Sequence, residues 1–239
     1  MSGHSKWAGI RHQKAANDAK RGNVFTKLGN NITVAAKQGG GDVTMNPSLR
    51  MAVEKARAAN MPKDNIERAI KRGTGELGGA AVEQLLYEGF GPGNVAILVE
   101  ALSDNRNRAN GDIRLIFTKN GGRMADGGGV AYQFSQKGII RLDLKADKAD
   151  SFEEAAIEGG ADDYVMGEGF AIVYVESTHL HEVKDALEAA GFPVNEAVIG
   201  YVANSPIEVE EEVLERVAKI LDALEENDDV TNVYTNLAE

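Results

Sequence analysis

The chain has 239 residues, 43% of them hydrophobic, and carries 26 Lys or Arg against 37 Asp or Glu for a formal net charge of −11. That supplies cores for one large domain or for two to three small ones. It contains no cysteine, which excludes disulfides, thiolate metal sites and a Cys nucleophile, and no apolar run approaches the roughly 18 residues of a membrane span. A reducing cytoplasm is the expected compartment. The opening residues are basic and hold few acids, as transit peptides do. Yet they lack the apolar run of a signal peptide, and the basic pattern continues to Arg72 without a break, so no removed leader is expected.

The charge is unevenly distributed. Residues 1–79 hold 14 basic and 6 acidic residues, a net of +8, whereas residues 80–239 hold 12 and 31, a net of −19. The first surface attracts a polyanion; the second repels one and keeps the protein soluble and oriented.

In chain order, the basic third reads as helices. Residues 15–37 place Val24, Phe25, Leu28, Ile32 and Ala35 at helical spacing, and the Gly-Gly-Gly run at 39–41 ends that helix. In the next, Asn46 caps and Pro47 takes the first helical position, with Leu49, Ala52, Val53 and Ala56 facing inward. A third starts at Pro62 and is expected to stop just before Gly73. Arg50, Lys55, Arg57, Arg68, Lys71 and Arg72 are left on outward positions.

Past the glycines at 73–79 the period changes to that of strands. Residues 82–102 read as a hairpin around Gly91-Pro92-Gly93, followed by a helix with Ile113, Ile116 and Phe117 on one side, closed by Gly121 and Gly122. A glycine-rich joint at 121–129 leads to a strand over 130–144 and a helix with a Ser151/Glu154 capping box. A strand near 169–177, a helix over 179–191 and a strand over 195–203 follow. Ser205, Pro206 and Glu208 then mark a helix start, and a strand over 230–237 closes the chain. Strands in pairs with interposed helices imply an α+β fold of small split βαβ-like sheets, each covered by helices on one face.

Nucleotide and metal motifs are weak. The glycines at 89–93 precede a strand and include Pro92, so they form a turn rather than a dinucleotide loop, and those at 121–129 lack the Gly-Lys-Ser/Thr ending of a phosphate loop. His179 and His181 would share one side of a strand but sit at a helix start, which separates them. No nucleophile elbow is present. The glutamates at 208 and 210–212 open an acidic helix, a solvated face that suits its dipole.

Two basic stretches remain. In Ser103-Asp104-Asn105-Arg106-Asn107-Arg108, Asp104 can cap a helix. Arg106 and Arg108 there are either plain surface arginines or two guanidinium groups set beside a helix N-terminus to hold phosphate. At the N-terminus, Lys6, Arg11, Lys14, Lys20 and Arg21 supply phosphate contacts, with Trp7, His4 and His12 as stacking groups. A terminal tail that packs Trp7 onto the helices is the plainer alternative.

Residues 3–28, 46–75, 87–109 and 130–138 together resemble the YebC/PmpR family, which includes the mitochondrial translational activator of cytochrome oxidase. The resemblance implies three domains: a basic helical domain at 1–79, an α+β domain combining 80–129 with 203–239, and an α+β domain at 130–202 inserted into it. It also implies a non-enzymatic regulator that binds DNA and controls transcription, or alternatively a translation factor that associates with the ribosome and its RNA. Carried over by position, its basic motif falls on His4, Ser5, Lys6, Trp7, Arg11, His12 and Lys14, its basic helix on Lys20, Arg21 and Lys27, and its arginine motif on Asp104, Asn105, Arg106, Asn107 and Arg108. Gly9, Asn110, Gly111 and the glycines before Val130 depart from the family pattern, which weakens a base-reading role for the first loop but keeps the phosphate-binding charges.

The expected partner is therefore nucleic acid, DNA or ribosomal RNA, with no membrane, cofactor or metal and with the oligomeric state open, a monomer included. Two readings from other classes are an enzyme with a site between the α+β domains, for which no motif speaks, and a protein-interaction scaffold.

Overall fold

Residues 21–238 are described in the structure, a computed structural model. Helices α1 (Arg21–Gly39), α2 (Pro47–Ala58) and α3 (Lys63–Gly73) bury Ile32, Ala36, Leu49, Val53, Ala56 and Ile66 in one cluster, with Phe25 and Leu28 packed against it. Asn46 caps α2, accepting from the Leu49 N–H at 3.0 Å, while its amide donates to the carbonyls of Ala35 and Gly40 at 2.8 Å each. One buried side chain thus ends α1 and starts α2. Gly73 is the last residue of α3 rather than the first beyond it. A Cβ there would lie 2.3 Å from the Thr33 carbonyl oxygen, so Gly73 permits close helix approach, and Gly75, at φ 82°, takes the left-handed turn.

Strands β1 (Glu83–Phe90) and β2 (Ala96–Ser103) form the expected hairpin, turning through Gly93 and Asn94 at φ 69° and 57°. Helix α4 (Arg106–Lys119) and the short β3 (Arg123–Met124) follow. Next come β4 (Phe134–Asp143), α5 (Ala149–Glu158), β5 (Asp163–Gly167), β6 (Phe170–Val175), α6 (Leu180–Ala189) and β7 (Val194–Ala203), and then α7 (Glu211–Glu225) and β8 (Val230–Thr235). The result is the α+β class, with two four-stranded sheets ordered β3-β1-β2-β8 and β5-β6-β4-β7. No helix among the described residues is long and apolar enough to cross a membrane.

By contacts, the described chain forms two compact units, one of residues 21–131 with 210–234, the other of residues 132–209 with 235–238. In the first, Ile97, Leu98 and Val99 of β2 are fully buried, as are Ile113, Phe117, Val217 and Ile220 from α4 and α7. In the second, Ile140, Leu142, Ala171, Val173 and Val175 face Phe152, Ala156, Leu180, Val183 and Leu187 of α5 and α6. Its β4-α5-β5-β6-α6-β7 sequence with wholly antiparallel pairing is the split βαβ arrangement.

Three local expectations are corrected. Ser151 lies inside α5 and donates to the Lys148 carbonyl, so it forms no capping box. Helix α7 starts at Glu211 and not at Ser205, because Ile207 is held by a parallel bridge to Leu237 and an N–H bond to the Asn236 carbonyl. Strands β3 and β5 have no counterpart in the sequence reading.

Candidate nucleic-acid interface

The helical part is positively charged because its inward positions are apolar and its outward ones basic. Residues 21–79 carry 10 Lys or Arg and 5 Asp or Glu. Several of these cations are already engaged. Arg50 donates to the Val43 and Thr44 carbonyls at 3.0 and 2.8 Å, Lys63 pairs with Glu67 at 3.4 Å, and Arg72 binds Asp104 at 2.7 Å. Lys55, Arg57, Arg68 and Lys71 differ: they are exposed on α2 and α3, and no hydrogen bond or ion pair within the described residues engages their side chains. Arg68 and Lys71, three apart on α3, project from neighbouring points of one face. Such solvated cations can exchange water and counterions for phosphate at little cost.

The arginine motif opens α4. Asn105, rather than Asp104, is the cap, accepting from the Arg108 N–H at 3.1 Å. Asp104 instead links the helices to the sheet by accepting from Arg72 and Arg108. The Arg108 guanidinium also lies 3.1 Å from both oxygens of Asp229, whose carboxylate is nearly buried and accepts from Ser103 Oγ at 3.0 Å. Hydrogen bonding to Asp229, foremost among several causes, raises the Arg108 pKa. Arg106 is exposed beside it; its carbonyl accepts from the Tyr87 hydroxyl at 3.4 Å, while its guanidinium makes no hydrogen bond or ion pair among the described residues.

Lys27 is turned inward too. Its Nζ donates to the Glu225 carbonyl at the end of α7, where a cation suits the helix dipole. Burial lowers its pKa, against the opposing pull of Glu225 and Asp228. His4, Lys6, Trp7, Arg11, His12, Lys14 and Lys20 lie outside the described residues, and Arg21 is the first residue of α1.

Of the sequence-derived set, the structure thus places Arg106 in solvent and draws Lys27 and Arg108 into the fold. It adds Lys55, Arg57, Arg68 and Lys71, which helical periodicity had marked as outward but no motif had marked as functional. These placements separate the two arginines. Arg108→Ala is expected to cost about 1–2 kcal/mol of stability, since it leaves the nearly buried Asp229 without its cation, and to change nucleic-acid affinity little. Arg106→Ala should leave thermal unfolding unchanged and weaken binding severalfold, as filter binding alongside thermal denaturation would show.

No group of three or more His, Asp or Glu among the described residues could hold a metal ion. His179 and His181 flank the start of α6, apart on its surface.

Comparison with known proteins gives two family matches, "TACO1/YebC protein N-terminal domain" over residues 5–76 and "TACO1/YebC second and third domain" over residues 82–237. A probable transcriptional regulatory protein of Geobacter sulfurreducens is 52% identical over 236 residues, covering 99% of this chain and 95% of that one. One of the same name from Treponema denticola is 50% identical over 237 residues, covering 99% and 96%. The crystal structure of a conserved hypothetical protein from Aquifex aeolicus superposes with a TM-score of 0.81 at 45% identity, covering 92% of this chain and 91% of that one.

Proposed function

Because the chain belongs to the TACO1/YebC family, whose members include relatives named as transcriptional regulatory proteins, we propose that it is a cytoplasmic, non-enzymatic regulator that binds DNA. Phosphates are held by a basic N-terminal domain, residues 1–79. The rest of the chain is organised as an α+β domain of 80–129 with 203–239 and an inserted domain of 130–202. The observation that carries this reading is the set of solvated, unengaged cations Lys55, Arg57, Arg68 and Lys71 on the helices that follow the basic N-terminal stretch. Phosphate contacts of this kind set affinity and register while reading little sequence.

With about six cations on duplex phosphates, log affinity should fall against log salt with a slope near −5. Neutralising Lys55, Arg57, Arg68 and Lys71 together should lower its magnitude by about 3–4. A slope near zero in the unaltered protein would sink the electrostatic reading. Crosslinking in cells, followed by sequencing of the attached nucleic acid, identifies the target. Discrete genomic sites are expected, and ribosomal RNA would turn the reading to a ribosome-associated translation factor.

A further inference from the structure

Asp104 is an acid set among cations. Arg72 of α3 donates to its Oδ2 at 2.7 Å and Arg108 of α4 to its Oδ1 at 3.2 Å, so a single carboxylate holds guanidinium groups from two elements. Arg68 and Lys71 lie within one helical turn of Arg72, and Arg106 within one turn of Arg108; all three are exposed, with side chains unengaged among the described residues.

The fold asks little of that carboxylate. Asn105 caps α4, and Arg108 is held by Asp229 and Ser103 whether or not Asp104 is charged. What remains is the pair with Arg72, whose two side chains are 35% and 34% exposed, and Asp104 is the one side-chain partner of Arg72 among the described residues. A pair so open to water adds little to stability, and its charges stay within reach of a third ion. A phosphate oxygen offers a guanidinium the same charge-assisted bond as a carboxylate oxygen, so the two compete for Arg72 directly.

We propose that Asp104 is an internal stand-in for a nucleic-acid phosphate, holding Arg72 in the free protein and yielding it to the DNA backbone on binding. The proposal rests on the reading that these helices bind nucleic acid, and it adds a regulator to that surface. Asp104 limits affinity in two ways, by occupying Arg72 and by repelling the phosphates that Arg68, Lys71 and Arg106 attract. Exchange at Arg72 is close to neutral in counterions: the phosphate releases a cation as it meets Arg72, and the freed carboxylate takes one up. With the carboxylate neutralised, only the release remains. Arg108 stays with Asp229 throughout.

Filter binding of a short DNA duplex across a salt series tests the exchange. Asp104→Asn, which keeps the shape of the side chain, should bind about fivefold more tightly and steepen the slope of log affinity against log salt by about 1. Adding Arg72→Gln to that variant should abolish the steepening and most of the gain. Asp112→Asn, the same change in net charge farther along α4, should leave the slope as it is. Should thermal unfolding show that Asp104→Asn does not fold, Arg72→Gln alone should weaken binding about threefold at unchanged slope, because it leaves Asp104 facing the phosphates unpaired; unchanged affinity there would overturn the proposal. A slope near zero in the unaltered protein would overturn the nucleic-acid reading and this proposal with it. With that slope intact, the proposal alone falls if Asp104→Asn changes neither affinity nor slope, if its gain survives Arg72→Gln in full, or if Asp112→Asn steepens the slope equally.

Discussion

Replacing Glu88 by alanine should destabilise the first unit by about 3–5 kcal/mol, because it strips the acceptor from three backbone N–H groups at once. The Glu88 carboxylate, in a side chain only 7% exposed, receives the N–H groups of Gly128 and Val130 at 2.6 Å and of Ala131 at 2.8 Å. It thereby pins the glycine-rich joint, whose Gly127 and Gly129 have no side chains to anchor them, onto β1. Burial alone would raise the Glu88 pKa, but the three N–H groups outweigh it and the net shift is downward. A carboxyl depressed in the folded state contributes fully above its unfolded value of about 4.3 and loses that contribution as pH falls through the folded value. Glu88→Gln, which keeps one acceptor oxygen, should therefore cost less than alanine at neutral pH and flatten the acid limb of the stability curve. Denaturant unfolding between pH 3 and 7, values bracketing the carboxylate range, tests both statements. An unchanged acid limb in Glu88→Gln would refute the assignment.

An effect of similar size is expected for Phe152→Ala in the second unit. Phe152 is fully buried, with its ring edge-on to Tyr164 at 5.9 Å and to Phe192 at 5.6 Å. Truncation removes both contacts and leaves a cavity between α5 and the sheet, at a cost of about 3–5 kcal/mol. That loss should be local. Amide exchange in β4, β6 and β7 should quicken by a factor on the order of a hundred or more, while exchange in β1 and β2 is unchanged. Uniform acceleration throughout the chain would mean instead that the two units unfold as one.

The elements most legible in the sequence were those whose causes are local. The Asn46-Pro47 helix start, the turn at Gly91–Asn94 and the apolar spacing of α1 each follow from a few adjacent residues, and each is present. What escaped notice depends on distant partners. β5 is an edge strand of five residues that exists through its pairing with β6, and β3 is two residues held against Gly89 and Phe90. The segment from Ser205 onward carries a good helix start, yet its pairing with Asn236 and Leu237 prevents the helix from beginning until Glu211. The interface shows the same division. Sequence marks a residue as cationic and outward, but only the fold reveals that Asp229 holds Arg108, that the Glu225 carbonyl holds Lys27, and that Lys55, Arg57, Arg68 and Lys71 are unengaged.

In the second unit β4 and β7 are neighbours, with Phe134 opposite Ala203 and the Asn204 N–H bonded to the Gln133 carbonyl at 2.8 Å. The two ends of residues 134–203 are therefore one strand spacing apart, about 4.8 Å. For a domain inserted at 130–202, as proposed above, this pairing meets the entropy of bringing its ends together, so some seventy residues would weigh on the host as little as a short closed loop.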